Sequence, residues 1–173
     1  IATVDHLYQC LETLPEAREL GRLLLEKEEV SFDTETTSLA IQSAELIGMS
    51  FSFEAGKAYY VSIPQEREAA KEWLSAFQPF FESESVRKIG QNLKYDIGVL
   101  LNYGVQVNGP FFDTMIAHYL LQPDMRHKMD ILAETYLSYT TISYESVVGK
   151  KGKTQKTLRE VPKEAVTDYA AED

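Results

Sequence analysis

Two carboxylates two residues apart, Asp33 and Glu35, end the run Val30-Ser31-Phe32-Asp33-Thr34-Glu35. Val30, Phe32 and Thr34 alternate with the polar positions, which predicts a short strand running into the Thr/Ser-rich stretch Thr36-Thr37-Ser38-Leu39. Side chains two apart on a strand leave the same face, so this strand would bring both carboxylates together at its C-terminal end. Oxygen ligands of this kind suit a hard divalent cation, and Mg²⁺ is commonly held by one or two carboxylates together with substrate phosphate. The same triplet also occurs at ordinary strand ends, where Asp33 would only hydrogen-bond the turn it enters. The rest of the chain has to separate these readings.

Two further carboxylates stand in unusual places. Asp96 lies at the border of the apolar stripe Leu93, Ile97, Leu100 and Leu101 on a helix expected from Asn92 to about Asn102. Tyr169 and Asp173 are four apart on a last helix that opens at Pro162, so they share a face with Ala165. An Asp in a final turn opposes the helix dipole, which gives it no local reason to be there. Gathered in one place, Asp33, Glu35, Asp96 and Asp173 would repel one another and their pKa values would rise. Two Mg²⁺ or Mn²⁺ ions would neutralise the cluster and make a phosphoryl-transfer site. His118 and His127 lack the paired spacing of a zinc site and read as surface or packed histidines, and Asp113 reads as a helix N-cap rather than a metal ligand.

The elements that must position these groups follow an α/β pattern. Tyr8 to Leu11 is expected as a short edge strand. Thr13-Leu14-Pro15-Glu16 reads as a capping box opening a helix to about Lys27. Leu46 to Phe53 and Ala58 to Ile63 are expected as strands around the hairpin turn Glu54-Ala55-Gly56-Lys57, which implies a mixed sheet. One amphipathic helix is expected from Arg67 to Phe81, with Ala70, Trp73, Leu74, Phe77 and Phe81 inward. Lys88 to Gly90 is a short strand, and further helices are expected at about Thr114 to Leu121 and Met129 to Leu137. Tyr139 to Thr157 is polar and expected to be irregular and mobile.

A chain of 173 residues with 44% hydrophobic and 25% charged residues is expected to form one domain with a sizeable core. Cys10 is the only cysteine, which excludes an internal disulfide and a thiolate metal cluster and fits a reducing cytoplasm. No apolar run approaches the ~18 residues of a membrane span. The chain begins at Ile1 rather than Met, without the basic and apolar regions of a signal peptide, so an internal piece of a longer protein is expected. A net charge of −10 argues against broad electrostatic attachment to nucleic acid. Lys150, Lys151, Lys153, Lys156, Arg159 and Lys163 form a late basic segment, either a solvated loop or a phosphate contact.

Phe32-Asp33-Thr34-Glu35-Thr36, Gly90-Gln91-Asn92-Leu93-Lys94-Tyr95-Asp96 and Tyr169-Ala170-Ala171-Glu172-Asp173 resemble, in order, the three motifs of the DEDD exonucleases in their tyrosine branch. The chain is most similar to the 3′-5′ proofreading domains of bacterial family A DNA polymerases. The likeness extends through Phe112-Asp113-Thr114-Met115, Arg126-His127-Lys128-Met129-Asp130 and Gly149 to Lys153, covering essentially the whole chain. Tyr169 indicates the tyrosine branch, because Asp168 stands where the other branch has histidine.

The resemblance implies a ribonuclease H-like α/β fold, with a central five-stranded mixed sheet and helices on both faces. It implies that Asp33, Glu35, Asp96 and Asp173 hold two divalent ions, Mg²⁺ or Mn²⁺ with Zn²⁺ as an alternative. Asp33 would bridge the two ions, and Tyr169 would orient the attacking water. Asn92 would contact the 3′-terminal nucleotide, Leu39 would wedge between terminal bases, and Tyr144 would stack on the substrate. Residues 1–173 would form a single exonuclease domain of a longer polymerase chain, monomeric, bacterial and cytoplasmic, at the nucleoid. It would act on single-stranded or frayed DNA 3′ ends and release nucleoside 5′-monophosphates. Two alternatives share the motifs: an RNA-trimming exonuclease of the ribonuclease D type, and a non-catalytic domain that binds DNA ends or buttresses the polymerase module.

Overall fold

The structure, a computed structural model, describes residues 6–172. Its centre is a mixed sheet of six strands in the order β1-β4-β3-β2-β5-β6: β1 is Leu7–Leu11, β2 Glu29–Thr36, β3 Leu46–Glu54, β4 Lys57–Ser62, β5 Arg87–Gly90 and β6 Phe111–Asp113. The β2/β3 and β3/β4 pairs are antiparallel, whereas β1 pairs parallel with β4, β5 with β2 and β6 with β5. Five strands were expected. Phe111–Asp113 reads as the lead-in to a helix because it is only three residues long, and its pairing with Lys88–Gly90 makes it the sixth strand.

Helices cover both faces. Helix α1 (Leu14–Leu25) starts with the expected capping box: Thr13 Oγ1 accepts from Glu16 N–H, and the Glu16 carboxylate accepts from Thr13 N–H at 2.9 Å. With α2 (Arg67–Ser75), α3 (Gln78–Glu82) and α4 (Leu93–Asn102) it packs against Val30, Phe32, Met49 and Phe51 of the sheet. Phe51 stacks on Phe77 at 5.0 Å, and Phe32 meets Phe81 edge-on at 5.3 Å. A second cluster on the other face joins Ile47 and Tyr60 to Val148, Leu158, Val166 and Ala170, bringing in α7 (Tyr144–Val148) and α8 (Lys163–Glu172). Strand alternation divides the two layers: Tyr60 belongs to this second cluster, and its neighbour Val61 to the first.

The remaining helices differ from expectation in ways that local chemistry explains. Pro79 has no N–H to continue the ladder, so the helix expected from Arg67 to Phe81 breaks into α2 and α3 around Ala76 and Phe77. Helix α5 (Thr114–Leu121) is followed by α6 (Met129–Leu132), which widens into a π-helical turn at Ala133–Leu137. Within the stretch expected to be irregular, Ser143 caps α7 by accepting from Ser146 N–H. Among the described residues no helix is long and apolar enough to cross a membrane.

Lys88 of β5 is wholly buried, without a carboxylate partner among the described contacts. Its ammonium donates to the carbonyls of Ser83 and, at 2.8 Å, Asn108, tying together the turns that lead into β5 and β6. Burial pushes its pKa down from 10.5 to about 8. Below pH 8 the fold carries the full cost of the buried cation. Between about 8 and 10.5 the unfolded chain holds a proton that the folded chain has shed, so stability from this group rises with pH. The urea midpoint of the native chain should therefore rise relative to that of Lys88→Met between pH 8 and 10. A constant difference would show a solvated ammonium.

Candidate functional site

The C-terminal end of β2, the start of α4 and the two tyrosines of α7 and α8 enclose a cavity of about 560 Å³. Asp33, Glu35, Leu39, Asn92, Asp96, Tyr144 and Tyr169 all line it, so motifs scattered over the chain meet in one place. Asp173 lies outside the described residues.

Asp33 is paired with Ser50 and Glu35 with Gly48 across the β2/β3 ladder, which places both carboxylates on the same side of β2. The ladder shifts register between Glu35 and Thr36, where β2 leaves the sheet. Glu35 is only 8% exposed, so it is a buried residue rather than a solvated one. Glycine opposite it is a packing requirement: a Cβ on Gly48 would come within 2.4 Å of the Tyr60 ring. Burial and the nearby Glu35 charge raise the Tyr60 pKa, so that phenol stays neutral beside the carboxylate.

Thr34, between the two acids, turns the other way. Its N–H and Oγ1 both donate to Asp96 Oδ1, at 3.1 and 2.6 Å, and Asp96 is 2% exposed. Desolvation raises the Asp96 pKa to about 6, against the two Thr34 donors, which favour the charged form; the charge of Asp113 adds a smaller upward push. This acid is held in place before any ion is considered.

The nucleotide-contact candidates are placed by the ends of α4. Asn92 takes a left-handed backbone at φ 63°, a conformation that asparagine tolerates better than most residues. Asp113 holds it there, accepting from the N–H groups of Asn92 and Leu93 while also capping α5 through Met115 and Ile116. The cap on α5 was expected; the second helix on the same carboxylate was not. Leu39 is 93% exposed at the cavity rim. Its loop is pinned by the Tyr95 hydroxyl, which donates to the Ser38 carbonyl and accepts from the Thr36 hydroxyl. The Tyr144 ring faces Tyr169 at 6.1 Å with a 62° tilt.

Sequence reasoning missed Thr34, Tyr95 and Asp113 as supports. Thr34 had a signal, a hydroxyl directly between two acids on a strand; the partners of Tyr95 lie 57 and 59 residues away and leave no local trace. His118 and His127 are packed histidines, as expected, with Nδ1 atoms 2.6 Å apart and the Tyr136 hydroxyl 3.1 Å from His118 Nε2.

Among the described residues no three His, Cys, Asp or Glu side chains already form a metal-binding group. The cavity's acidic donors are nevertheless all carboxylate oxygens, joined by the phenol oxygens of Tyr95, Tyr144 and Tyr169, with neither imidazole nor thiolate. That set fits a hard divalent cation.

The mixed six-stranded sheet flanked by helices and the cavity at the end of β2 define a ribonuclease H-like exonuclease fold. Structures that share it include the catalytic core of RRP6 from Trypanosoma brucei (TM-score 0.74, 18% identity, covering 100% of this chain and 44% of that one). Another is Escherichia coli RNase D, at TM-score 0.72 and 19% identity over 95% of this chain and 40% of that one. The 3′-5′ exonuclease family profile matches residues 8–173, and the chain belongs to that family. DNA polymerase I of Pseudomonas aeruginosa is 39% identical over 159 residues, 87% of this chain and 17% of the polymerase. That of Borreliella burgdorferi is 36% identical over 176 residues, 100% of this chain and 19% of the polymerase. The chain thus spans less than a fifth of the length of these relatives.

Asp96 supplies a test of the site's electrostatics. Its folded pKa lies above the ordinary 3.8, so the stability it contributes is complete below 3.8 and is lost as pH rises through about 6. In EDTA at pH 7.5, Asp96→Asn should be more stable than the native chain by roughly 1–3 kcal/mol. The advantage should vanish below about pH 4, as read from urea midpoints; one that persists there would assign it to packing.

Proposed function

We propose that this chain is a two-metal 3′-5′ proofreading exonuclease domain within a longer DNA polymerase chain. It hydrolyses the 3′-terminal phosphodiester of single-stranded or frayed DNA and releases nucleoside 5′-monophosphates. The observation that carries the reading is the single cavity shared by Asp33, Glu35 and Asp96 with Leu39, Asn92, Tyr144 and Tyr169. The sequence relatives are DNA polymerases, which favours DNA over RNA as substrate.

Asp33, Glu35, Asp96 and Asp173 would hold the two divalent ions, Mg²⁺ or Mn²⁺. Bound there, such ions lower the pKa of a water and neutralise charge on the scissile phosphate. The chain's own residues do the rest. The Tyr169 hydroxyl orients the attacking water. Asn92 holds the terminal nucleotide, and Leu39 inserts between the last two bases. Tyr144 offers a ring for base stacking, worth roughly 1–3 kcal/mol per base. Because a base must leave its duplex to reach these groups, a mismatched end, which frays more easily, is admitted sooner. Selection against mismatches then arises from the cost of unpairing.

The structural likeness to RNase D keeps an RNA-trimming activity as the second reading. A preference for a 3′-terminal ribonucleotide over a deoxyribonucleotide would favour it.

The direct experiment is release of mononucleotides from a 3′-labelled single-stranded DNA oligonucleotide in Mg²⁺, Mn²⁺ or EDTA. Asp33→Ala should lower the rate by roughly 10³-fold or more, the scale at which a group that stabilises transition-state charge is missed. It should leave the circular dichroism spectrum unchanged, since it removes one of several repelling carboxylates. Metal-independent release, or equal rates in the variant, would overturn the reading. Metal binding without turnover would favour a domain that only holds DNA ends.

A further inference from the structure

Near the described end of α8 stands a carboxylate that the proposed hydrolysis leaves unused. Glu172 lies on α8, and its side chain is half-buried. Its Oε1 accepts from the Tyr139 hydroxyl and its Oε2 from the Ile142 backbone N–H. A carboxylate taking two donors from a segment at least 30 residues earlier is holding that segment in place.

The held segment leads directly into α7. Ser143, next after Ile142, caps that helix. The cap makes Tyr144 the first helical residue, and the Tyr144 ring meets Tyr169. Tyr169 and Glu172 are three apart on α8 and so lie on neighbouring turns of one face. Helix α8 therefore grips residues 139–144 twice, once through a ring contact and once through the Glu172 carboxylate. Of the two, the carboxylate is the directional contact. The Tyr144–Tyr169 pair alone would let the ring slide, because edge-on aromatic contacts are shallow and tolerate a range of separations.

We propose that Glu172 is a positioning residue that holds Tyr144 over the cavity and thereby sets the affinity for the 3′-terminal nucleotides. The proposal rests on the exonuclease reading and deepens it. Glu172 acts on substrate through Tyr144, with no contact of its own to the reacting atoms. Its loss frees Ile142 N–H and the Tyr139 hydroxyl together and unfastens the α7 cap from α8.

The test is binding of a fluorescent single-stranded DNA oligonucleotide, read by anisotropy with Ca²⁺ replacing Mg²⁺, alongside steady-state hydrolysis in Mg²⁺. The proteins are the native chain, Glu172→Ala, Glu172→Gln, Tyr144→Ala and the double variant Glu172→Ala/Tyr144→Ala. Glu172→Ala should raise Kd and KM about tenfold, equivalent to about 1.4 kcal/mol, with kcat changed less than twofold. In the Tyr144→Ala background it should cost nothing further, since both changes remove one function. Glu172→Gln keeps a carbonyl acceptor for Ile142 and should recover part of the affinity. Hydrogen exchange should show the Ile142 amide protected in the native chain and open in Glu172→Ala, independently of activity. An equal loss in both backgrounds, or a fall in kcat at unchanged KM, would overturn the proposal. A native chain that binds DNA while Glu172→Ala binds equally well also sinks the proposal but spares the exonuclease reading. A native chain that neither binds nor cleaves removes that reading and this proposal with it.

Discussion

The site depends on a buried carboxylate that has to be met by donors. Asp96 could not be taken to 2% exposure unless hydrogen bonds replaced part of its lost hydration, and both come from Thr34, 62 residues earlier. The two bonds lock α4 onto β2 at the position to which core packing brings it. Once α4 is seated, Asn92 stands at the cavity wall, and Tyr95 reaches the loop that carries Leu39. Asn102, at the far end of the helix, bonds the Ile41 carbonyl just past that loop at 2.6 Å. One helix thus braces the rim at both ends.

Asp113 repeats the device at the helix starts. Its two oxygens serve the first N–H groups of α4 and α5, groups that have no partner within their own helices. Sharing one carboxylate places the two helix starts side by side at the end of the β5/β6 pair. Lys88 secures the opposite end of those strands through two backbone carbonyls. Short strands of three and four residues are weak alone, and these polar ties fix the strand that leads into Gln91 and Asn92 of the cavity.

The charge distribution bears on how an acidic chain would handle an anionic polymer under the proposed function. Two members of the late basic segment are committed to the fold. Arg159 donates to the carbonyls of Ile63 and Leu46, and Lys163 pairs with Glu12 at 2.6 Å. Both side chains are therefore engaged by protein. Under the proposed function, recognition would fall to the cavity: carboxylates to hold ions, the Tyr144 ring for stacking and Asn92 in its left-handed conformation. Such contacts are short-ranged and suit a single terminal nucleotide rather than a long duplex.

Much of the site was legible because its residue types conflict with their local setting. Asp33 and Glu35 repel on one strand face, and Asp96 borders an apolar stripe; such conflicts mark places where something other than folding propensity decides the residue. Helix starts at Thr13 and Asp113 and the β3/β4 hairpin were legible for the opposite reason, because side chain and backbone agree within a few residues. Pro79 breaks the helix expected from Arg67 to Phe81, because the apolar period continues through it while the backbone ladder cannot. What only the tertiary structure decided are ties over long sequence separations: Thr34 to Asp96, Asp113 to Leu93, Tyr95 to Ser38 and Glu172 to Ile142. A sequence reports spacing along the chain, whereas these bonds depend on how packed elements are rotated and offset, and that is decided by burying the core as a whole.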